Sequence, residues 1–277
     1  MTKYGMDFIE LIQRGKKPRK QGITMIADQG LGLGAVEGWL DAWGEYIDYS
    51  KFYHLTPGML RESFVKDKIA LYRKYDVYVT AGGIYLELAH CQNKIDQSVN
   101  YLRDMGFGAV EISENFVDFT PSEKESIINK CVNAGLRVVY EYGDKYYDES
   151  QTVEVEDVAK KILHAKCLGV SHTIVEESIL DLWLGKDGKG KEAQKLVELA
   201  DAVGRDHIVW EAGQKAQNAH LIRIFGPEVN LGPNIPPEEV MWLEPGRRGF
   251  GRAFGYQYVV DSYDKYKSHT EPKVANG

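Results

Sequence analysis

Cysteine is scarce in this sequence. The 277 residues include only Cys91, Cys131 and Cys167, which are widely spaced and form no C-x-x-C pair. An odd number of scattered cysteines is typical of reduced thiols rather than of a disulfide framework. We therefore expect a cytoplasmic protein.

Long apolar runs and an excess of basic residues are also missing. The first residues, MTKYGMDFIELIQRG, lack the apolar run of a signal peptide, and no later run reaches membrane-spanning length. The 34 lysines and arginines are outnumbered by 41 aspartates and glutamates, so the formal net charge is −7. This charge disfavours a general nucleic-acid-binding surface. We expect neither a membrane nor a nucleic acid as a partner.

What the sequence does contain is a repeated order of short β-prone runs and helical patterns. Each run closes on polar residues before the next helical pattern begins. The runs are Ile23–Asp28, Tyr46–Phe52, Val77–Ala81, Ala109–Ser113, Arg137–Tyr142, Thr173–Glu177, His207–Glu211 and Val229–Leu231. Eight nearly continuous apolar runs, each followed by a helix, predict an α/β fold of the parallel (β/α)8 TIM-barrel type. A doubly wound open sheet is the alternative.

A single domain accounts for this pattern. Length alone would allow two domains, but barrels of this size are routinely one. We expect residues 1–260 to form the barrel and the polar residues 261–277 to form a frayed C-terminal tail.

The candidate functional residues lie at the C-terminal ends of the strands, where barrels of this kind carry their chemistry. The residues at these ends are Asp28, Lys51, Gly82 with Gly83, Glu111 with Ser113, Glu141 with Lys145, Glu176 with Glu177, Glu211, and Asn230 with Gly232 and Asn234. Converging carboxylates repel one another unless a cation lies between them, and hard oxygen ligands favour Mg²⁺. The sequence thus predicts a Mg²⁺ site. Salt bridges of these carboxylates with Lys51, Arg137 or Arg247 are the alternative.

Lys51 and Lys145 are the lysines placed for proton transfer at the strand ends. A lysine near a metal and another cation has a lowered pKa, so it can exchange a proton at neutral pH. Lys145 forms either a structural ion pair with Glu141 or part of a catalytic site. For Lys51, a salt bridge to Asp28 or Glu111 is the structural alternative.

The turn after the last predicted strand, residues 226–238, is rich in glycine, asparagine and proline. Glycine and asparagine allow backbone N–H groups to turn inward, and a short helix begins at Pro236. Barrels commonly bind phosphate here, so we expect an anion site in this turn. Closure of the barrel alone would also explain such a turn.

Several short strings between Lys17 and Gly249 carry a resemblance to a known family. They are Lys17-Pro18-Arg19-Lys20, Gly22-Ile23-Thr24, Asp28-Gln29-Gly30, Tyr46 to Phe52, Gly82-Gly83, Val110-Glu111-Ile112-Ser113, Glu141 to Lys145, Glu211 to Lys215, Val229-Asn230-Leu231-Gly232, and Leu243-Glu244 with Arg247-Arg248-Gly249. In combination they resemble the phosphosulfolactate synthase family. The resemblance implies a (β/α)8 barrel that adds sulfite to phosphoenolpyruvate with Mg²⁺, on the way to coenzyme M or sulfolactate.

The resemblance also implies roles for individual residues. Sulfite would attack the methylene carbon of phosphoenolpyruvate, and Mg²⁺ would stabilise the resulting enolate, an aci-carboxylate. Lys145 matches the family's catalytic lysine region and would deliver a proton to the α-carbon, with Glu141 and Lys51 as further catalytic residues. The expected metal ligands are Asp28, Glu111, Glu211 and Glu177, and the expected substrate contacts are Arg19, Asn230, Gly232, Ser113 and His54. We also expect a small anionic substrate and a homo-oligomer.

The chain departs from the family pattern near these residues. The departures are Tyr53-His54-Leu55-Thr56 for a Trp-Gly-Thr stretch, Ile84 for Thr, Glu114-Asn115-Phe116 for Asp-Gly, Asp144 for the first lysine of a pair, Val175-Glu176-Glu177-Ser178 for Ala-Arg-Glu-Ser, and an inserted Pro233. Asp144 would raise the pKa of Lys145 and hold it protonated, which favours proton donation. The alternatives are a divergent paralogue that runs related metal-assisted chemistry on another small carboxylate, and a non-catalytic barrel like the family's stress-associated relatives.

Overall fold

A closed barrel of eight parallel strands forms the centre of the molecule. The computed structural model describes residues 5–143, 145 and 152–251. The strands are β1 (Thr24–Asp28), β2 (Tyr49–Phe52), β3 (Tyr78–Ala81), β4 (Ala109–Ile112), β5 (Arg137–Tyr142), β6 (His172–Val175), β7 (Ile208–Trp210) and β8 (Leu231–Ile235). Each strand pairs with the next, and β8 closes the ring on β1. The predicted (β/α)8 barrel is confirmed.

Helices pack around the barrel and connect its strands. They are α1 (Leu33–Trp43), α2 (Glu62–Arg73), α3 (Ile84–Cys91), α4 (Ile95–Met105), α5 (Pro121–Asn133), α6 (Val155–Cys167), α7 (Glu177–Leu184), α8 (Gln194–Val203), α9 (Lys215–Phe225) and α10 (Val240–Arg247). Helix α5 shows why such segments begin where they do: Thr120 caps the helix and accepts the N–H of Glu123, whose side chain accepts that of Thr120. Within the described ranges, no helix is both long and apolar enough to cross a membrane.

The barrel interior is filled from its N-terminal end by an apolar cluster. Its members include Ile23, Met25, Tyr49, Ala109, Val139, Ile174 and Val209. Side chains alternate between the two faces of a strand, so the residue two positions later also faces the interior, closer to the C-terminal mouth. On β2 and on the strands from β4 to β7 these residues are Lys51, Glu111, Glu141, Glu176 and Glu211. Strand alternation therefore delivers one lysine and four glutamates to the mouth.

The last strand differs most from the sequence-based prediction. The predicted run Val229–Leu231 is wrong at its end, because β8 begins at Leu231 and continues to Ile235. Glycine and proline are typical of strand ends, so Gly232-Pro233 predicts a turn. In the structure the missing side chain of Gly232 instead lets β8 lie against β1, since a Cβ there would come within 2.4 Å of the Met25 Cβ.

The predicted division of the chain extends beyond the residues that the structure describes. The barrel occupies residues up to 251, and the tail predicted at 261–277 lies outside the described ranges. The division into a barrel of residues 1–260 and a tail therefore stays a prediction.

Candidate active site

A cavity of about 430 Å³ opens at the C-terminal mouth of the barrel. It is lined by residues from seven of the eight strand ends and the loops behind them. These residues are Lys51, Tyr53, His54, Gly82, Gly83, Ile84, Glu111, Asn115, Glu141, Lys145, Glu176, Glu177, Glu211 and Asn234. Three cavities among the described residues are larger. Two of them contain no buried carboxylate, and the third lies next to the mouth cavity and shares only Asn115 and Glu141 with it.

Lys51 at the end of β2 and Glu111 on β4 form a buried ion pair in the cavity. The Lys51 Nζ lies 2.9 Å from the Glu111 Oε1, which also accepts the N–H of Gly83 at 3.1 Å. Burial alone would lower the pKa of Lys51, but the carboxylates of Glu111, Glu141 and Glu211 outweigh burial and raise it. Without a metal the pKa of Lys51 is thus raised rather than lowered, and the lowered pKa expected beside a metal stays a prediction. The structural alternative, a salt bridge to Glu111, is what forms.

Lys145 lies between two carboxylates. Its Nζ is 3.0 Å from the Glu141 Oε1 and 3.2 Å from the Glu176 Oε1. Burial lowers the pKa of Lys145, but Glu141, Glu211 and Glu176 outweigh that effect and raise it well above its ordinary value. Lys145 is therefore a protonated group that can give a proton. Asp144, from which the same effect is expected, lies outside the described residues.

Glu111, Glu141, Glu176 and Glu211 are all buried at the cavity, where the described residues supply only two lysines to balance them. Burial and the neighbouring Glu111 carboxylate raise the pKa of Glu141. Burial and Glu141 raise the pKa of Glu211 to about 8. The Glu211 Oε1 accepts a hydrogen bond from the Asn234 amide, but its Oε2 is buried without a partner. The metal-free site therefore holds a proton on these carboxylates near neutral pH.

The raised pKa of Glu211 predicts that the metal-free protein loses stability as pH rises. A glutamate in an unfolded chain has a pKa of about 4.3. Between that pH and the folded pKa of about 8 the folded protein binds more protons than the unfolded chain, so the unfolding free energy falls with rising pH. Urea unfolding in EDTA across this window should show the fall in the wild type and a smaller one in Glu211→Gln. Equal pH slopes would contradict the assignment.

Two carboxylate oxygens in the cavity lack a hydrogen-bond partner among the described residues, which leaves them open to a divalent cation. The Glu111 Oε2 and the Glu211 Oε2 are both buried and without a hydrogen-bond partner. Among residues 5–143, 145 and 152–251, no group of three or more His, Cys, Asp or Glu residues is arranged to hold a metal. Mg²⁺ commonly binds through one or two carboxylates and completes its shell with water and substrate oxygens. The donor set therefore fits a substrate-assisted Mg²⁺ site and does not form an all-protein cage.

Asp28, an expected metal ligand, does not join this group. It follows the inward-facing Ala27 on β1, so its side chain points outward to α2. There its carboxylate lies 2.6 Å from the Lys68 Nζ and accepts a hydrogen bond from the Tyr72 hydroxyl at 2.8 Å. The N–H groups of Gly30 and Leu31 donate to the same carboxylate. These contacts give Asp28 a structural position behind the barrel wall.

Arg19 and Asn230 lie at the opposite end of the barrel from the cavity. Arg19 pairs with Asp48, which precedes β2, at 3.1 Å, and donates to the Glu45 carbonyl. Asn230 precedes β8, accepts the N–H of Ile23 and donates to the Ile208 carbonyl at 2.9 Å. The geometry does not support their predicted substrate contacts, because both side chains join the N-terminal ends of strands.

The remaining expected residues are near the mouth or within its walls. His54 and Glu177 line the cavity. Ser113 is buried behind it, where its hydroxyl donates to Glu87 at 2.7 Å. Gly232 lies inside β8 and packs against Met25 of β1, and it is not among the residues that line the cavity.

Glu176, Asn115 and Asn234 also line the cavity, although the sequence analysis gives none of them a role as metal ligand, catalytic residue or substrate contact. The inward orientation of Glu176 follows from strand alternation, since it stands two positions after the inward-facing Ile174. Asn234 follows once β8 is known to continue to Ile235. For Asn115 the strand pattern gives no signal, because it lies in a loop.

The fold and the cavity define a TIM-barrel protein with a lysine–glutamate site at the C-terminal mouth. Its overall fold also resembles the carboxyl transferase domain of pyruvate carboxylase from Rhizobium etli, with a TM-score of 0.53 at 8% identity, over 94% of this chain and 53% of that one. This likeness shows the fold alone.

Sequence comparison then identifies the family. The family profile described as (2R)-phospho-3-sulfolactate synthase (ComA) matches residues 12–252. The phosphosulfolactate synthase of Methanothermobacter thermautotrophicus is 34% identical over 238 residues, which is 85% of this chain and 92% of that protein. That of Methanocaldococcus jannaschii is 35% identical over 240 residues, 85% and 95% of the two chains. The chain belongs to the phosphosulfolactate synthase family, which makes it an enzyme of the synthase (lyase) class.

Proposed function

We propose that the chain adds sulfite to phosphoenolpyruvate with Mg²⁺ and forms the carbon–sulfur bond of phosphosulfolactate. The observation that carries the proposal is the protonated Lys145, held between Glu141 and Glu176 at the edge of a cavity with two orphaned carboxylate oxygens. Family membership supplies the substrates, since the relatives are named for this product.

The proposed reaction needs one nucleophile and one proton. The sulfur lone pair of sulfite attacks the methylene carbon, and the π electrons move onto the carboxylate as an enolate, the aci-carboxylate. Lys145 then gives its proton to the α-carbon, and the carboxylate re-forms. Glu111 and Glu211 would hold a divalent cation, which would supply positive charge where the carboxylate becomes more negative.

The lysines have different roles in this proposal. Lys145 contacts the reacting carbon as the proton donor, and Glu141 and Glu176 keep it charged and oriented. Lys51 is fixed by Glu111 and provides a permanent positive charge at the cavity floor for an anionic substrate group. His54 and Tyr53 complete the cavity wall on the side of β2.

One observation favours the second candidate, related chemistry on a less charged carboxylate. Five glutamates and only two lysines line the cavity. A phosphate ester and sulfite together bring several negative charges into this acidic site. A small carboxylate without a phosphate would meet less repulsion there.

A cytoplasmic location and a homo-oligomer remain further expectations for either candidate.

Thermal-shift titrations separate these candidates. We expect Mg²⁺ to raise the melting temperature of the wild type, and phosphoenolpyruvate to raise it further only when Mg²⁺ is present. The matched control is Glu111→Gln, which removes one expected ligand while preserving the side chain's size. A shift with Mg²⁺ and none with added phosphoenolpyruvate would favour the second candidate. No shift with either would favour the non-catalytic alternative.

A further inference from the structure

Glu87 on α3 is a fully buried carboxylate whose hydrogen bonds all come from the loop after β4. Its Oε2 accepts the N–H groups of Asn115, Phe116 and Val117 at 2.9, 2.8 and 3.2 Å. Its Oε1 accepts the Ser113 hydroxyl and the Asn115 Nδ2, both at 2.7 Å. Within the part of the chain that the structure describes, no lysine or arginine pairs with it. Five donors in place of a counter-ion therefore balance the buried charge, and they fix this loop.

This network fixes which way the Asn115 amide points. An ionised carboxylate only accepts hydrogen bonds, so the Asn115 atom facing Glu87 has to be the nitrogen. The second amide hydrogen goes to the Ser113 Oγ at 2.6 Å, because the hydroxyl hydrogen of Ser113 is already donated to Glu87. Both hydrogens of the amide are thus committed. Only its carbonyl oxygen remains for another partner.

Asn115 lines the mouth cavity together with Lys51 and Glu111, and it also lines the neighbouring cavity beside Tyr140 and Lys124. No residue in the described ranges donates a hydrogen bond to its Oδ1. The loop is also where this chain has Glu114-Asn115-Phe116 and the family pattern has Asp-Gly. The Asn115 Oδ1 is therefore a fixed acceptor at the cavity that is open to a ligand.

We propose that Asn115 contacts the bound ligand through its carbonyl oxygen, and that Glu87 is the positioning residue that sets this orientation. The group it binds is an O–H donor, from a water on the bound cation or from a protonated oxygen of the bound substrate. The contact between Asn115 and a ligand rests on the proposed function. The orientation of the Asn115 amide by Glu87 does not depend on it.

Two substitutions test the contact and the positioning separately. Asn115→Ala removes the acceptor and should weaken binding about 3- to 10-fold, the effect of one neutral hydrogen bond. In Glu87→Gln the backbone N–H groups of Asn115, Phe116 and Val117 still need an acceptor, so the side-chain oxygen of the glutamine faces them. The glutamine NH₂ then faces the side-chain amide of Asn115. The Asn115 amide then reverses and presents its nitrogen to the cavity. Glu87→Gln should therefore reproduce the loss, and the double variant should lose no more than either single variant.

The measurements are calorimetric titration with Mg²⁺ alone and the KM values for sulfite and phosphoenolpyruvate. The control is Asn133→Ala, an exposed residue at the end of α5. A loss in Mg²⁺ affinity supports the contact and assigns the donor to a metal-bound water. A loss only in KM supports it and assigns the donor to the ligand. Unchanged binding in folded Asn115→Ala, or additive losses in the double variant, would overturn the proposal.

A wild type that neither binds Mg²⁺ nor turns over would disprove the proposed function alone. The positioning is then decided in the free protein by the hydrogen exchange of the Asn115 side-chain amide, measured by NMR with Asn133 as reference. Slow exchange that becomes fast in Glu87→Gln supports the role of Glu87. Fast exchange in the wild type would overturn it.

Discussion

Replacing Lys145 with alanine should abolish turnover and leave the barrel folded. The ammonium of Lys145 is the proposed proton donor, and loss of a positioned general acid costs about 10²- to 10⁴-fold in rate. The variant also leaves Glu141 and Glu176 without their shared cation, so Glu141 should take up a proton more readily. The rate is measured as sulfite consumption at saturating Mg²⁺, and the fold by circular dichroism.

The matched control for this result is Lys186→Ala. The Lys186 ammonium also lies near a carboxylate, 3.6 Å from Asp181, but its side chain is 77% exposed. It should lose no activity, because a surface ion pair contributes little. Near-normal turnover in Lys145→Ala would remove Lys145 from the acid role.

Replacing Lys68 with methionine should destabilise the protein by about 3–5 kcal/mol, the effect of leaving a buried carboxylate without its counter-ion. Asp28 and Lys68 are both buried, and their charged atoms are 2.6 Å apart. Among the described residues, the Tyr72 hydroxyl and two backbone N–H groups would remain as partners of Asp28. The change is measured as the unfolding free energy in urea at neutral pH.

The double variant Asp28→Asn with Lys68→Met provides the control. Removing both charges should recover part of the stability, since no unpaired ion is then buried. The Mg²⁺ affinity of Asp28→Asn should equal that of the wild type, because its carboxylate points away from the cavity. A large fall in affinity with unchanged stability would instead restore Asp28 as a metal ligand.

Strand alternation explains how much of the site could be predicted from the sequence. Glu111, Glu141 and Glu211 stand at the ends of apolar runs, and their positions in the runs place them inside the barrel. Asp28 also ends such a run, but on the outward-facing side. Once the barrel fold is assumed, Ala27 of β1 faces inward, and the alternation then places the next residue, Asp28, on the outward face.

Other features needed the three-dimensional contacts. The partner of Arg19 is Asp48, which is 29 positions away, and no local pattern pairs them. The continuation of β8 through Gly232-Pro233 depends on close packing against Met25 of β1. Asn115 became a site residue only through the buried Glu87, 28 positions earlier, because it fixes the loop. Such pairings depend on the closed barrel, which local sequence does not encode.

The most direct test of the proposed function is phosphorus NMR of the purified wild type incubated with Mg²⁺, phosphoenolpyruvate and sulfite. We predict that the resonance of the enol phosphate disappears and that of the alkyl phosphate of phosphosulfolactate appears, with one sulfite consumed for each product formed. EDTA should stop the conversion, and Lys145→Ala should not support it. An unchanged phosphoenolpyruvate resonance with folded, Mg²⁺-saturated wild type would contradict the proposed reaction.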